Sequence, residues 1–119
     1  MKIFKLLIII FIACPVIAEA QNTEFKITTW NVEWLSCSTY GPSDENLQMN
    51  NAAKVIKALN SDIVTLQEIG TSSIYTTIDT LVKRLGSEWA GSIIPWSADN
   101  CSQNQAVVYK KSKVQLVSG

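Results

Sequence analysis

The 119-residue sequence contains no histidine. The general-base assistance of about 10²–10⁴-fold that a well-placed histidine gives to catalysis is therefore absent from this chain. Ten Lys and Arg residues balance ten Asp and Glu residues, so net charge supplies no general attraction to nucleic acid or to anionic membranes. The longest apolar run lies near the N-terminus and is shorter than the ~20 residues that a membrane-spanning helix needs.

What the N-terminus does contain is the pattern of an export signal. Lys2 and Lys5 precede an apolar run over residues 6–12, and Ala18-Glu19-Ala20 provides a small-x-small cleavage site. This arrangement is typical of a secretory signal peptide. We therefore expect a signal over residues 1–20, a mature chain over residues 21–119, and an exported protein that is periplasmic or extracellular.

Two other interpretations of this segment are less favourable. An uncleaved anchor helix would have to continue through Pro15, which interrupts helices. Lipid attachment at Cys14 would require a lipobox, yet Phe11 stands where leucine is usual and Pro15 follows the cysteine directly. We expect neither a stable membrane span nor a lipid anchor.

Two of the three cysteines, Cys37 and Cys101, remain after the predicted cleavage. An even pair in an oxidising compartment favours a disulfide over two separate thiols. Such a bridge would close a long loop and stabilise the fold by about 3–5 kcal/mol.

The hydrophobic pattern predicts strands and helices in alternation. A strand over 25–34 precedes a helix that begins at Ser43 or Asp44, with an apolar face at spacings typical of a helix. A strand over 63–67, expected to be buried on both faces, then precedes a second helix capped by Ser72 or Ser73 and ended by Gly86. The predicted apolar faces are Ala52, Val55, Ile56 and Leu59 in the first helix, and Ile74, Ile78, Leu81, Val82 and Leu85 in the second.

Three further extended stretches follow, over 92–96, 105–109 and 114–117, and we expect the last two to form a hairpin around Lys110-Lys111-Ser112. Lys110, Lys111 and Lys113 are the one basic cluster, which is typical of a solvated turn. The strand–helix–strand order predicts an α/β (α+β) fold in which the first two strands are parallel.

Two polar residues end the first two predicted strands. Asn31 follows residues 27–30, and Glu68 follows residues 63–67. If the strands are parallel neighbours, both residues lie at the carboxyl edge of the sheet, where ligands bind in open α/β folds. A carboxylate there suits Mg²⁺, and an amide beside it can orient a phosphate. The alternative is that both are ordinary exposed loop residues.

The segments ITTWNVEWL and SDIVTLQEI resemble the opening of the endonuclease/exonuclease/phosphatase superfamily, and QAVVYKKSKV resembles the strand and turn that follow in many members. The resemblance implies the N-terminal half of a four-layer α/β/β/α sandwich. It also implies that Glu68 binds a divalent metal, Mg²⁺ or else Mn²⁺ or Ca²⁺, and that Asn31 positions the scissile phosphate. Gln67 would support Glu68, while Glu33 is assigned no role. Nucleic acid is the implied substrate of the full-length protein.

The chain departs from this superfamily because the later histidines and the Asp-x-Asn pair are missing. It also stops just behind an apolar segment. We therefore expect an N-terminal fragment that binds metal weakly and is inactive by itself. A phosphatase or a sphingomyelinase-like phospholipase of the same superfamily remains an alternative, and the oligomeric state is open. A non-catalytic secreted binding module is a further alternative, with a surface formed by Trp34, Tyr40, Trp89 and Trp96.

Overall fold

The computed structural model describes residues 24–70, 74–94 and 101–117, without the side chains of residues 74–76. The predicted signal peptide, Cys14, the predicted helix caps Ser72 and Ser73, and Trp96 lie outside the described residues. The elements, in chain order, are β1 (Ile27–Leu35), α1 (Glu45–Leu59), β2 (Ile63–Ile69), α2 (Ile74–Leu85), β3 (Trp89–Ile94) and β4 (Asn104–Lys110).

The four strands form one sheet in the order β1-β2-β4-β3. β1 runs parallel to β2, with Ile27 opposite Ile63, and β4 runs antiparallel to both β2 and β3. The predicted mixed α/β fold and the parallel pairing of the first two strands are confirmed. Because these two strands are parallel, both of them end at the same edge of the sheet, which we call the carboxyl edge.

The predicted hairpin between residues 105–109 and 114–117 is wrong. Residues 114–117 are not a strand, and the backbone N–H groups of Lys113 and Val114 donate instead to the Lys110 carbonyl in a turn. Both edges of β4 are already paired with β2 and β3, so no edge is left for a hairpin partner. The strand expected over 92–96 instead spans Trp89–Ile94.

Helix α1 begins where the sequence predicts. The Asp44 side chain caps it by accepting a hydrogen bond from the Leu47 amide at 2.8 Å, which satisfies one of the N–H groups left over at a helix start. The buried residues of α1 are Met49, Ala52, Ala53 and Ile56. Val55, which we predicted to be buried, is 41% exposed, whereas Met49 and Ala53 are buried in its place.

Both helices contribute to one hydrophobic core on one face of the sheet. Val64 and Leu66 of β2 are fully buried there, whereas Ile63 and Thr65 of the same strand are only half-buried. The expectation that β2 is buried on both faces is therefore wrong for the described residues.

Helix α2 ends as predicted, with Gly86 at a φ of 118° that favours glycine. Among the described residues, no helix is long and apolar enough to cross a membrane.

A cluster of polar side chains lies at the edge of the sheet opposite the carboxyl edge, where the parallel strands β1 and β2 begin. Asp62 accepts a hydrogen bond from the Lys26 backbone N–H at 3.2 Å and forms an ion pair with Lys110 at 3.3 Å. The Lys26 hydrogen bond, followed by the Lys110 ammonium, holds the pKa of the Asp62 carboxyl below its ordinary value. The basic cluster that includes Lys111 and Lys113 continues from β4 at this same edge.

Candidate functional site

The structure brings Asn31 and Glu68 to the carboxyl edge of neighbouring strands. In the register of β1 and β2, Asn31 lies opposite Gln67 and Leu35 lies opposite Ile69. Between these two pairs, the three β1 residues Val32, Glu33 and Trp34 stand opposite the single residue Glu68. This β-bulge places Glu33 and Trp34 next to the two predicted site residues.

The bulge has an uncommon backbone conformation. Glu68 has a φ of 60°, and Glu33 and Trp34 across from it have φ values of 53° and 54°. Ser36 and Cys101 are also left-handed, at 65° and 61°. A left-handed conformation costs a residue other than glycine about 1–2 kcal/mol. Such residues persist only where their surroundings hold them, and they cluster at functional sites.

Helix α1 and Asn31 itself hold the β1 side of the bulge. The Asn31 carboxamide oxygen accepts a hydrogen bond from the Glu33 amide at 2.9 Å. From α1, the Gln48 Nε2 atom donates to the carbonyl oxygens of Val32 at 3.1 Å and Glu33 at 2.6 Å. The Gln48 Oε1 atom is buried and finds no hydrogen-bond partner among the described residues. Gln48 therefore clamps the backbone of the bulge.

Asn104, which sequence reasoning missed, holds the β2 side. Its side chain is fully buried, and Nδ2 donates to the carbonyl of Ile69, the residue after Glu68, at 3.1 Å. The only signal in the sequence was a polar residue just before an apolar strand. Gln67, expected to support Glu68, donates from Nε2 to Thr29 Oγ1 on β1 at 2.7 Å, and Glu68 itself is half-buried.

The predicted Cys37–Cys101 disulfide is confirmed, with the two Cα atoms 5.2 Å apart. It joins the segment after β1 to the segment before β4, directly beside the end of β2. A Cβ atom on Gly70 would lie 2.4 Å from the Cys37 Cβ atom, so only glycine fits where β2 ends against the bridge. The disulfide therefore links the end of β1 to the start of β4 at the carboxyl edge, with the end of β2 packed against it.

A surface pocket of about 480 Å³ opens between β1 and α1. Asn31 and Glu33 line one side of it, and Leu47 and Gln48 line the other. Glu68 is not part of its lining. The pocket gives a group bound at Asn31 space to extend along α1.

The donors at the carboxyl edge suit Mg²⁺ better than a structural zinc ion. No group of three or more His, Cys, Asp or Glu side chains gathers as a metal site within the described ranges. Zinc in structural sites takes four protein ligands of the Cys and His type. Magnesium, by contrast, keeps several waters and needs only one or two carboxylates. Glu68 offers one such carboxylate, and Glu33 lies across the bulge from it.

Of the four aromatic residues considered as a binding surface, Trp34 and Tyr40 form a pair. Their ring centroids are 5.0 Å apart and the rings are tilted by 44°. Trp89 is 4% exposed and belongs to the core. The Trp34–Tyr40 pair, which we call the aromatic pair, joins a bulge residue of β1 to the loop that follows β1.

Comparison with known proteins shows similarity at the level of the fold. No protein-family model matches the chain, and no curated protein matches it. Among solved structures, it is similar to an endonuclease/exonuclease/phosphatase from Bacteroides vulgatus, with 17% sequence identity and a TM-score of 0.56. The match covers 76% of this chain and 33% of that protein. The chain thus spans about a third of this structural neighbour, which shares its mixed α/β fold.

Proposed function

We propose that this chain forms the N-terminal part of an exported, divalent-metal-dependent phosphodiesterase, an endonuclease that hydrolyses nucleic-acid phosphodiester bonds. The observation that carries the proposal is the juxtaposition of Asn31 and Glu68 at the ends of adjacent parallel strands, on a strained bulge. The fold shared with an endonuclease/exonuclease/phosphatase supports it.

Each residue has a role that follows from its chemistry. The Glu68 carboxylate would hold Mg²⁺, which when bound neutralises negative charge on phosphate oxygens. The Asn31 oxygen accepts from the Glu33 amide, so the Asn31 NH₂ group would be the part of this side chain that donates to a phosphate oxygen. Such a donor stabilises charge most when its position is fixed before the reaction, which is the effect of the Gln48 clamp.

A general base is the missing part. No histidine occurs among the 119 residues, and we assign the base and further metal ligands to the remainder of a full-length protein. The structural neighbour is about three times as long as the matched portion of it. The chain alone is then expected to bind metal without fast turnover.

The proposed export agrees with the disulfide, since such bridges persist in oxidising compartments. A signal peptide over residues 1–20 would deliver the protein there. Nucleic acid outside the cytosol would then be the accessible substrate.

The test is hydrolysis of DNA and RNA by the full-length gene product, with Mg²⁺ and with EDTA. Glu68→Gln removes the charge of the metal ligand and keeps its size, so we expect activity to fall at least about 100-fold. Glu88→Gln is the matched control, because Glu88 is exposed and lies in the turn before β3, away from the bulge. Inositol phosphates and sphingomyelin serve as competing substrates. No metal-dependent hydrolysis of nucleic acid, or full activity of Glu68→Gln, would contradict the proposal.

A further inference from the structure

Tyr40, the loop member of the aromatic pair, is exposed although its loop is held by several contacts, and Trp34 beside it is half-buried. Tyr40 is 65% exposed, and its ring contacts Trp34 at 5.0 Å. The contact with Trp34 stabilises the ring modestly, but the rest of the Tyr40 side chain faces water, and exposed aromatic side chains are enriched at binding surfaces. The exposed Tyr40 ring, supported by Trp34, can therefore stack against the ring of a ligand.

Several contacts fix this loop in place. The Cys37 amide donates to the Trp34 carbonyl at 2.9 Å, and the Gly41 amide donates to the Cys37 carbonyl at 2.8 Å. A Cβ atom on Gly41 would lie within 2.9 Å of three carbonyl oxygens, so the loop closes tightly around this glycine. The Ser38 amide donates to the Glu45 carboxylate on α1 at 3.0 Å. Because the loop is already ordered, little conformational entropy is lost when a ligand binds.

The position of the pair relates it to the proposed phosphodiester site. Trp34 belongs to the bulge and stands opposite Glu68, three residues after Asn31. A nucleotide whose phosphate lies at Asn31 and Glu68 would therefore have its base or a neighbouring base near this loop.

When no metal is bound, the charge at this edge favours recognition of bases over phosphates. Glu33 and Glu68 lie here, whereas the basic cluster of Lys110, Lys111 and Lys113 lies at the opposite edge, where β4 ends beside the start of β2. Phosphate contacts by Lys and Arg normally dominate nucleic-acid affinity. A neutral base with a π-face is not repelled by the carboxylates, and it can stack on an aromatic side chain.

We infer that Trp34 and Tyr40 form a stacking subsite for a base of single-stranded nucleic acid. This inference rests on the proposed function, because that function supplies the reason for a phosphodiester to lie at the neighbouring residues. It adds a substrate class, single-stranded or locally unpaired nucleic acid, and a residue pair that recognises it.

The test measures binding of two fluorescein-labelled probes by anisotropy in EDTA, using the full chain with its disulfide formed. One probe is an oligothymidylate of eight nucleotides, and the other is an eight-unit abasic oligomer with the same phosphate backbone. We expect the wild type to bind the thymidylate more tightly. Tyr40→Ala should weaken thymidylate binding about 5- to 150-fold, because a stacked base contributes on that scale, and it should leave abasic binding unchanged.

Two conservative variants separate stacking from other effects. Tyr40→Phe keeps the ring and should bind within about twofold of wild type, whereas Tyr40→Leu keeps an apolar side chain without a ring and should behave like Tyr40→Ala. The Tyr40-dependent part of the affinity should change little between low and high salt, since phosphate contacts cause the usual steep dependence. Circular dichroism of each variant checks that the exposed substitution leaves the fold intact.

The outcomes distinguish this inference from the proposed function. Equal binding of both probes, or thymidylate affinity unchanged in Tyr40→Ala and Tyr40→Leu, would overturn the stacking subsite whether or not Glu68 supports hydrolysis. Tyr40-dependent binding of thymidylate by a full-length product that hydrolyses no nucleic acid would support the subsite and overturn the proposed nuclease activity.

Discussion

Removing the Cys37–Cys101 disulfide should destabilise the fold by about 4 kcal/mol. The two cysteines are 64 positions apart, and closing a loop of this length in the unfolded chain accounts for a free energy of about 4 kcal/mol in the loop-entropy model. Small domains have a total stability of about 5–15 kcal/mol. The bridge therefore contributes a large share of the free energy of unfolding.

The cleanest perturbation is Cys37→Ala with Cys101→Ala, in a Cys14→Ser background that removes the third thiol. Alanine keeps the Cβ atom of Cys37, on which Gly70 packs, so the change isolates the S–S bond from the packing around it. Serine would instead leave a hydroxyl at Cys37, which is only 2% exposed, and a buried hydroxyl without a partner adds its own cost.

Equilibrium unfolding in urea, followed by tryptophan fluorescence, measures the effect. With a slope of about 2 kcal/mol per molar urea, the unfolding midpoint of the double alanine variant should lie about 2 M below that of the Cys14→Ser parent. Reducing the parent with a thiol should lower its midpoint by a similar amount. A midpoint shift below about 0.5 M in both experiments would mean that the bridge does not constrain the unfolded chain to this extent, and would contradict the prediction.

Three further predictions concern single residues. Glu68→Gly should be more stable than Glu68→Ala by about 1 kcal/mol, since glycine accepts the left-handed backbone without penalty; equal urea midpoints of the two variants would argue against strain at this position. Asn104→Ala should cost about 1–3 kcal/mol of stability, because the buried Ile69 carbonyl loses its donor, and a midpoint like that of the parent would show that this hydrogen bond is unimportant. Asp62→Asn should destabilise the chain near neutral pH and have less effect in acid. The pKa of Asp62 is lowered in the folded state from 3.8, so its stabilising contribution is present above that value and is lost as the pH falls through the folded pKa. Urea midpoints measured from pH 3 to 7 check this, and a difference that stayed constant across that range would contradict it.

The local parts of the fold follow from the sequence. The helical spacing of apolar residues, together with the cap residue Asp44, predicts α1, and Gly86 predicts the end of α2. The helix between the first two strands predicts that β1 and β2 are parallel. From that pairing, the shared edge of Asn31 and Glu68 follows directly. The disulfide was predictable for a different reason, since only two cysteines remain after the predicted signal is removed.

The parts that escaped prediction depend on contacts between distant segments. Local sequence pattern predicts a hairpin between β4 and the segment after it. β4 pairs instead with β2 and β3, and residues 105–117 alone do not indicate these two partners. No glycine marks the left-handed residues Glu33 and Trp34 in the sequence. Their carbonyl oxygens are held by donors from elsewhere, Gln48 Nε2 for Glu33 and the Cys37 amide for Trp34. The role of Asn104 likewise depends on the fold bringing it beside Ile69.

The position of a bound divalent metal tests the proposed function of the carboxyl edge most sharply. Paramagnetic Mn²⁺, added in small amounts to the ¹⁵N-labelled chain, broadens the NMR signals of amides close to the ion. We expect the amides of Asn31, Glu33 and Glu68 to broaden first, excess Mg²⁺ to reverse the effect, and Glu68→Gln to abolish it while Glu88→Gln does not. Broadening centred on Asp62 at the opposite edge, or a pattern unchanged by Glu68→Gln, would contradict the claim that the carboxyl edge is a metal-binding site.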